Sequence, residues 1–473
     1  MAKKDGFSGK LGFILAAAGS AVGLGNIWRF PYLAAKYGGG IFLLTYVILM
    51  LTFGYALLIS ENGIGRITRR SPIGAFRKLC SGKSSFLKTI RFGGWINSIV
   101  PMIIVPYYCV IGGWVTKYIV AMAFEPHSTF DRNNLIATAS GQVTSSANYF
   151  ADFIADPASS ILFFLIFMAI NVLVVAGGVK NGIERFNKIL MPALIILIIG
   201  ICVYCMFLPN AGAGFKYYLM PDVSRFSFMT VVSAMGQLFF SLSIAMGIMI
   251  TYGAYMRKED DLISCVNHVE LFDTGVSFLA GLMIIPAVVA FDGIRAAESA
   301  GPGLIFIIMP QVFASFPGGR FFGVIFFILM LFASATSAVS LLETNVHTLR
   351  QELLVSRKKA LFICVTEIIA IGIITVLGYS ILKNCHPLGF ISRYSNYTIL
   401  DTLDFISNSV LMPIGAIFTT ILVVAVVGLE RFSAEVKTSG KKWYREYIFQ
   451  LCMCVVVIPS LLIVLLDATG LFH

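Results

Sequence analysis

Charge is scarce in this sequence. Asp, Glu, Lys and Arg supply 12% of the 473 residues, about half their share in soluble domains, while hydrophobic residues reach 58% and the mean hydropathy is +0.87. No polar stretch is large enough for an additional soluble domain, so residues 1–473 read as one membrane domain. The nine cysteines lie mostly inside or beside apolar runs, which fits buried small residues rather than zinc or redox sites. Equally absent are a nucleophile with its base, a metal cluster and a phosphate-cradling loop, which argues against an enzyme. The net charge of +11 comes from basic residues dispersed among apolar segments, a pattern that membrane orientation explains better than nucleic-acid binding.

What is present is a series of runs long enough to cross a bilayer, about 20 apolar residues each. Eleven spans are expected, at 11–36, 40–66, 92–123, 158–177, 185–208, 228–256, 261–291, 320–350, 358–381, 399–428 and 443–467. The opening MAKKDGFSGK and LGFILAAAG imitate a signal peptide, but Trp28, Arg29 and Pro31 follow and the apolar pattern resumes from Ile41, so this stretch is expected to remain as the first span. Alternating the loops places Lys3, Lys4, Lys10, the basic residues from Arg66 to Arg91, Lys180, Arg257, Arg357 and Lys442 on one side. Basic loops stay in the cytoplasm. The amino terminus is therefore expected inside and the carboxyl terminus outside. The outer segments 124–157 and 292–319 are either plain connections or caps over an external opening.

Two spans carry breaks. The first reads GFILAAAGSAVGLGNIWRFPYL, with Gly19, Gly23 and Gly25 in mid-run, where glycine is costly. Unpaired backbone at membrane depth is tolerated only in protein or beside a wet cavity, so a break here offers carbonyls and amides to a ligand. A glycine face for close helix packing is the other reading. The sixth span, SAMGQLFFSLSIAMGIMITYG, has a second soft point at Ser241, Ser243 and Gly247. Breaks in the first and sixth spans together point to five-helix halves in inverted repeat, with positive half-helix ends aimed at an anion and freed carbonyls at cations.

Ionisable residues inside spans usually face a cavity or a partner. Arg29, Glu61, Asp273, Glu343 and Asp404 are such residues, unless they lie near an interface. Tyr108, in Pro106-Tyr107-Tyr108, carries a hydroxyl that needs a partner when buried. The run Ala333 to Ala338 (ASATSA) supplies small hydroxyl residues suited either to helix packing or to a hard cation.

The stretch GSAVGLGNIWRFPYLAAKYGGGIFLLTY strongly resembles the first two helices of the neurotransmitter:sodium symporters. The resemblance continues through QLFFSLSIAMG, the tyrosine pair, ASATSA and DTLDF, to about residue 430. It implies an all-α membrane protein of the LeuT-like fold, with eleven transmembrane helices, two inverted repeats (1–208 and 228–428), an additional helix (443–467), and helices one and six broken at midplane. It also implies two sodium ions. The second would take the carbonyls of Gly19, Val22 and Ala333 and the hydroxyls of Thr336 and Ser337; the first, the Ala21 carbonyl, Asn26, Ser241, Asp273 and the substrate's own carboxylate.

By the same resemblance, that carboxylate would meet the amides of Leu24 and Gly25 and the Tyr108 hydroxyl. The amino group would meet carbonyls of Ala21, Phe240, Ser241 and Ser243. The side chain would lie among Ile104, Phe240, Ser243, Met246, Ser337 and Leu341. Monoamine-carrying relatives place a carboxylate at the position of Gly23, so its absence favours a zwitterionic amino acid, with a bulky apolar or aromatic side chain preferred. The outer gate would be Arg29 with Asp404, lidded by Tyr108 and Phe306, with Gln237 near Arg29. Glu61 would hold unwound backbone of the sixth helix, and Gly182 and Pro192 would mark unwinding in the fifth.

The sequence also departs from the family pattern. The acidic partner of the inner gate falls on Gln351, with Glu352 beside it, and Lys4 replaces the amino-terminal arginine. Asp273 replaces a common asparagine, and its fixed charge is expected to make transport chloride-independent. Eleven spans rather than twelve suggest the cytoplasmic membrane of a prokaryote. The reading is a sodium-driven amino-acid symporter; an amino-acid sensor or gated conduit without coupled transport is the alternative.

Overall fold

The computed structural model describes residues 6–131, 133–138, 141–299 and 301–468. Nine helices among them are long and apolar enough to cross a membrane: Gly40–Thr68, Thr89–Phe124, Pro157–Ala176, Val179–Met206, Leu262–Phe291, Gly319–Glu352, Arg357–Leu377, Ile399–Val427 and Glu446–Ala468. A tenth is reached if the pair Lys10–Ala21 and Gly25–Lys36, bent by 47°, counts as one. Each lies within a few residues of an expected span. The remaining expected span, 228–256, appears as a shorter apolar helix, Phe228–Ser241, and a second piece, Ile248–Tyr255.

Burial sorts these helices into an inner and an outer group. The most apolar windows of Thr89–Phe124 and Gly319–Glu352 are 78% and 72% buried, against 33% for Pro157–Ala176 and Arg357–Leu377 and 28% for Glu446–Ala468. The sequence reflects the difference. Inner helices carry small and hydroxyl residues that let neighbours approach closely, as along Ala333 to Ala338, all buried. Outer helices turn large aliphatic residues such as Leu173, Ile196 and Phe362 outward, where lipid is the natural solvent.

The outer segments are structured. After Phe124 come a short 3-10 turn, an antiparallel hairpin pairing Leu135–Thr138 with Gly141–Thr144, and the Ser145–Ala155 helix. The hairpin is the one departure from an all-α fold among the described residues. The second segment forms a turn at Gly301–Leu304 and the Ile308–Ser315 helix. The two are joined: Ser146 Oγ donates to the Ile307 carbonyl at 2.9 Å, Gln311 Nε2 to Thr144 Oγ1 at 3.1 Å, and the Phe150 and Phe306 rings stack at 5.2 Å. They rest on Trp114 and Tyr118, whose rings meet Phe306 edge-on at 5.8 and 5.2 Å.

Candidate functional site

The chain leaves helical geometry within the glycine stretch. The helix that begins at Lys10 ends at Ala21, Val22 turns extended (φ −79°, ψ 98°), and helix resumes at Gly25. Hydroxyls from distant parts of the chain meet the freed carbonyls. Ser337 Oγ lies 3.4, 3.0 and 3.4 Å from the oxygens of Gly19, Ser20 and Val22, and Ser243 Oγ donates to the Ser20 oxygen at 2.9 Å. The Leu24 amide donates to the Tyr108 hydroxyl at 3.3 Å. Gly23 is required by contact: a Cβ there would stand 3.1 Å from the Tyr108 oxygen and 3.2 Å from Ser337 Cβ, and would strike Ser337 Oγ.

The second break is more strained. Between Ser241 and Ile248 the backbone takes positive φ at Ser243 (54°), Ala245 (58°) and Gly247 (66°), a region that costs an L-residue about 1–2 kcal/mol. Strain of this kind persists only where surroundings impose it. Here Glu61, fully buried on the Tyr55–Thr68 helix, accepts the Ala245 amide at 2.7 Å.

Between the breaks is a small cavity lined by Ser20, Ala21, Gly23, Gly25, Ile104, Tyr108, Phe240, Ser243, Met246, Ser337 and Leu341. Of the expected substrate residues, all but Leu24 and Ser241 line it. Those two are close by: the Leu24 amide meets Tyr108, and Ser241 ends the helix whose preceding residue is Phe240.

Two clusters of oxygen atoms flank the cavity. In one, Thr336 Oγ1 lies 3.0 Å from the Ala333 carbonyl oxygen, while neighbouring Ser337 reaches Gly19 and Val22. These are the residues expected around the second ion. In the other, Asp273 collects donors: Ser241 Oγ at 2.5 Å and Asn26 Nδ2 at 2.8 Å on Oδ1, and the Tyr46 hydroxyl at 3.0 Å on Oδ2. Asn26 was expected to offer oxygen here. Its amide nitrogen faces Asp273, Ser241 and Ser277 instead, because a buried carboxylate draws every donor within reach, and Oδ1 turns to the Gly23 amide at 3.0 Å.

With this geometry in place, comparison with known proteins is decisive. The model of the sodium:neurotransmitter symporter family matches residues 4–470. The chain belongs to this family. Like its relatives it is a membrane transporter rather than an enzyme, in a family that uses sodium. It is 34% identical to a sodium-dependent transporter of Bacillus subtilis over 473 residues, covering 98% of each. It is 32% identical to a sodium-dependent transporter of Methanocaldococcus jannaschii over 486 residues, covering 99% of this chain and 91% of the relative. The crystal structure of MhsT in complex with L-phenylalanine matches with a TM-score of 0.84 at 34% identity, over 98% of this chain and 100% of that one. The fold is thus LeuT-like.

The residues expected at the gates make other contacts. Arg29 makes no ion pair with Asp404; its guanidinium lies 5.5 Å from the centre of the Phe240 ring. Asp404 Oδ1 instead accepts the Tyr107 hydroxyl at 3.1 Å and Asn408 Nδ2 at 2.5 Å, nearer donors that satisfy it locally. Gln237 Nε2 donates to the Gly25 carbonyl at 2.8 Å. Phe306 faces Trp28 at 6.2 Å, above the cavity. On the opposite side Gln351 accepts the Ser71 amide at 2.7 Å, and Glu352 pairs with Arg77 at 2.9 Å. Lys4 lies outside the described residues. The amino-terminal segment is tied instead by Ser8, whose amide donates to Glu184 at 2.8 Å. Gly182 sits in a wide π-type turn, Val179–Glu184, and Pro192 inside the unbroken helix Arg185–Met206.

Sequence reasoning missed Tyr46, Ser277 and Asn187. Ser277 had a legible signal, one helical turn from Asp273 on the same face. Tyr46 and Asn187 are single polar residues in longer patterns, and nothing in their spacing marks them.

Proposed function

We propose that the protein is a sodium-coupled symporter of a zwitterionic amino acid with a bulky apolar or aromatic side chain, working by alternating access. The observation that carries this reading is one cavity shared by both backbone breaks, with an oxygen cluster on each flank. The nine long helices, the bent pair and Phe228–Tyr255 then count as eleven spans. They divide into inverted repeats, 1–208 and 228–428, with 443–467 added and both breaks at midplane. The basic loops put the amino terminus in the cytoplasm and the carboxyl terminus outside, in the inner membrane of a prokaryote.

In this mechanism the substrate carboxylate is held by the amides of Leu24 and Gly25 and by the Tyr108 hydroxyl. The ammonium group meets carbonyls of Ala21, Phe240, Ser241 and Ser243, and the side chain fills the space among Ile104, Met246 and Leu341. That MhsT was solved with L-phenylalanine supports an apolar occupant. Two sodium ions complete the site. One is bound by Gly19, Val22, Ala333, Thr336 and Ser337. The other is bound by Ala21, Asn26, Ser241, Asp273 and the substrate carboxylate, after the Asn26 amide turns its oxygen inward. Because ion and carboxylate share a shell, each raises the other's affinity by the same factor, typically about 1–3 kcal/mol. Arg29, Asp404, Gln237 and Phe306 close the outer path; Gly182 and Pro192 mark where the inner path loosens.

Reconstituted vesicles test the reading. An imposed sodium gradient should concentrate a labelled apolar amino acid, and binding without gradient-driven accumulation would instead support a sensor or conduit. Asp273 supplies a fixed negative charge beside the first ion, so wild-type uptake should not depend on chloride. Asp273→Asn should lose uptake in chloride-free buffer and recover part of it with chloride; undiminished, chloride-insensitive uptake by that variant would sink the idea.

A further inference from the structure

Asn187 has no place in the mechanism above, yet its position is unusual. It lies midway between Gly182 and Pro192 on the Arg185–Met206 helix and is fully buried. Its Nδ2 donates to the Ile183 carbonyl, one turn back on its own chain, at 2.9 Å. That bond fixes which end of the amide points away, and the exposed end is Oδ1. Among the described residues no donor reaches Oδ1.

A buried acceptor left unsatisfied is costly, and a leucine of similar shape would avoid the cost. What Oδ1 faces suggests why the oxygen is kept. A Cβ built on Gly19 would strike Oδ1, lie 3.0 Å from Asn187 Cγ, and lie 3.3 Å from Thr336 Cβ. Asn187 therefore presses its free oxygen against the glycine whose carbonyl, with the Thr336 hydroxyl, belongs to the second oxygen cluster. Gly19 has room for that approach only because it lacks a side chain. Neutral amide, carbonyl and hydroxyl oxygens are the ligands a hard cation selects.

We propose that Asn187 contributes its side-chain oxygen to the sodium ion of the second site, directly or through one water. The inference rests on the second-site part of the functional reading above and adds a third helix to it. It also links the ion to the segment that starts at Gly182 and carries Glu184, the residue that ties down Ser8.

The test uses the purified full-length protein and sodium chloride alone, with choline chloride keeping ionic strength constant. Sodium-induced thermal stabilisation gives a midpoint without any amino acid, and labelled amino-acid binding at saturating sodium gives a second readout. Asn187→Leu, which keeps the volume and removes the oxygen, should raise the sodium midpoint about tenfold, as loss of a supporting group at a metal site commonly does. Its amino-acid affinity at saturating sodium should stay near wild type. Asn187→Asp, which adds charge with little change of shape, should lower the midpoint and serves if the leucine variant folds poorly. A wild-type midpoint in either folded variant would overturn the proposal. Thr336→Val separates the two levels. If it too responds to sodium like wild type, the second-site reading itself is wrong; if it shifts while Asn187→Leu does not, only the role of Asn187 is wrong.

Discussion

The two backbone breaks solve one physical problem in different ways. At Val22 the chain simply extends, and the carbonyls of Ser20 and Val22 are met by the hydroxyls of Ser243, in the second break, and Ser337, on the Gly319–Glu352 helix. From Ser243 to Gly247 the chain is forced through left-handed conformations at Ser243, Ala245 and Gly247 and pinned by one carboxylate, Glu61. The first break is soft and rich in exchangeable partners, which suits carbonyls that must take up and release an ion. The second is stiff, which suits a wall of the cavity that must keep its shape.

Substitutions at three positions would break or sharpen this contrast. The largest effect is expected from Gly19→Ala, since the new methyl group collides with Asn187 and crowds Thr336. Overpacking of about 1–3 kcal/mol at the first break should weaken sodium stabilisation by about 5- to 150-fold, and a sodium titration that matched wild type would contradict the assignment. Next is Glu61→Ala, which strands the buried Ala245 amide and should cost about 2 kcal/mol of stability, measured as the shift in reversible denaturation. Glu61→Gln keeps an acceptor oxygen and should recover most of that loss. The smallest effect is expected from Ala245→Gly, which removes the left-handed penalty at φ 58°. A gain of at most about 1 kcal/mol with uptake nearly unchanged would show that the strain belongs to the scaffold; a loss of uptake would show that it belongs to transport.

Much of this was legible in the sequence, for identifiable reasons. Gly19, Gly23 and Gly25 in mid-run left two readings open, a break and a glycine face for close helix packing, and only the soft point in the sixth span favoured the break. Gly247 hinted at the second, but nothing foretold that Ser243 and Ala245 would share its conformation, because neither residue favours it. The cavity residues came from the family resemblance, not from pattern. Asn187 stayed hidden because its importance depends on an approach between segments far apart in sequence, on a glycine seen only from the other side. The expected Arg29–Asp404 pair failed for a local reason: Asn408, one turn along the same helix, and Tyr107 claim the carboxylate first.

The seam between the two outer segments has a mechanical consequence. Phe150 and Phe306 stack with their planes 4° from parallel, and Ser146 and Gln311 bond across the same line. One segment follows the helix ending at Phe124 and the other follows the helix ending near Phe291, so the seam couples two widely separated parts of the scaffold. Neither strip can lift from Trp114 and Tyr118 without dragging the other or tearing the ring stack. The covering behaves as one stiff plate, and a plate opens all at once or not at all.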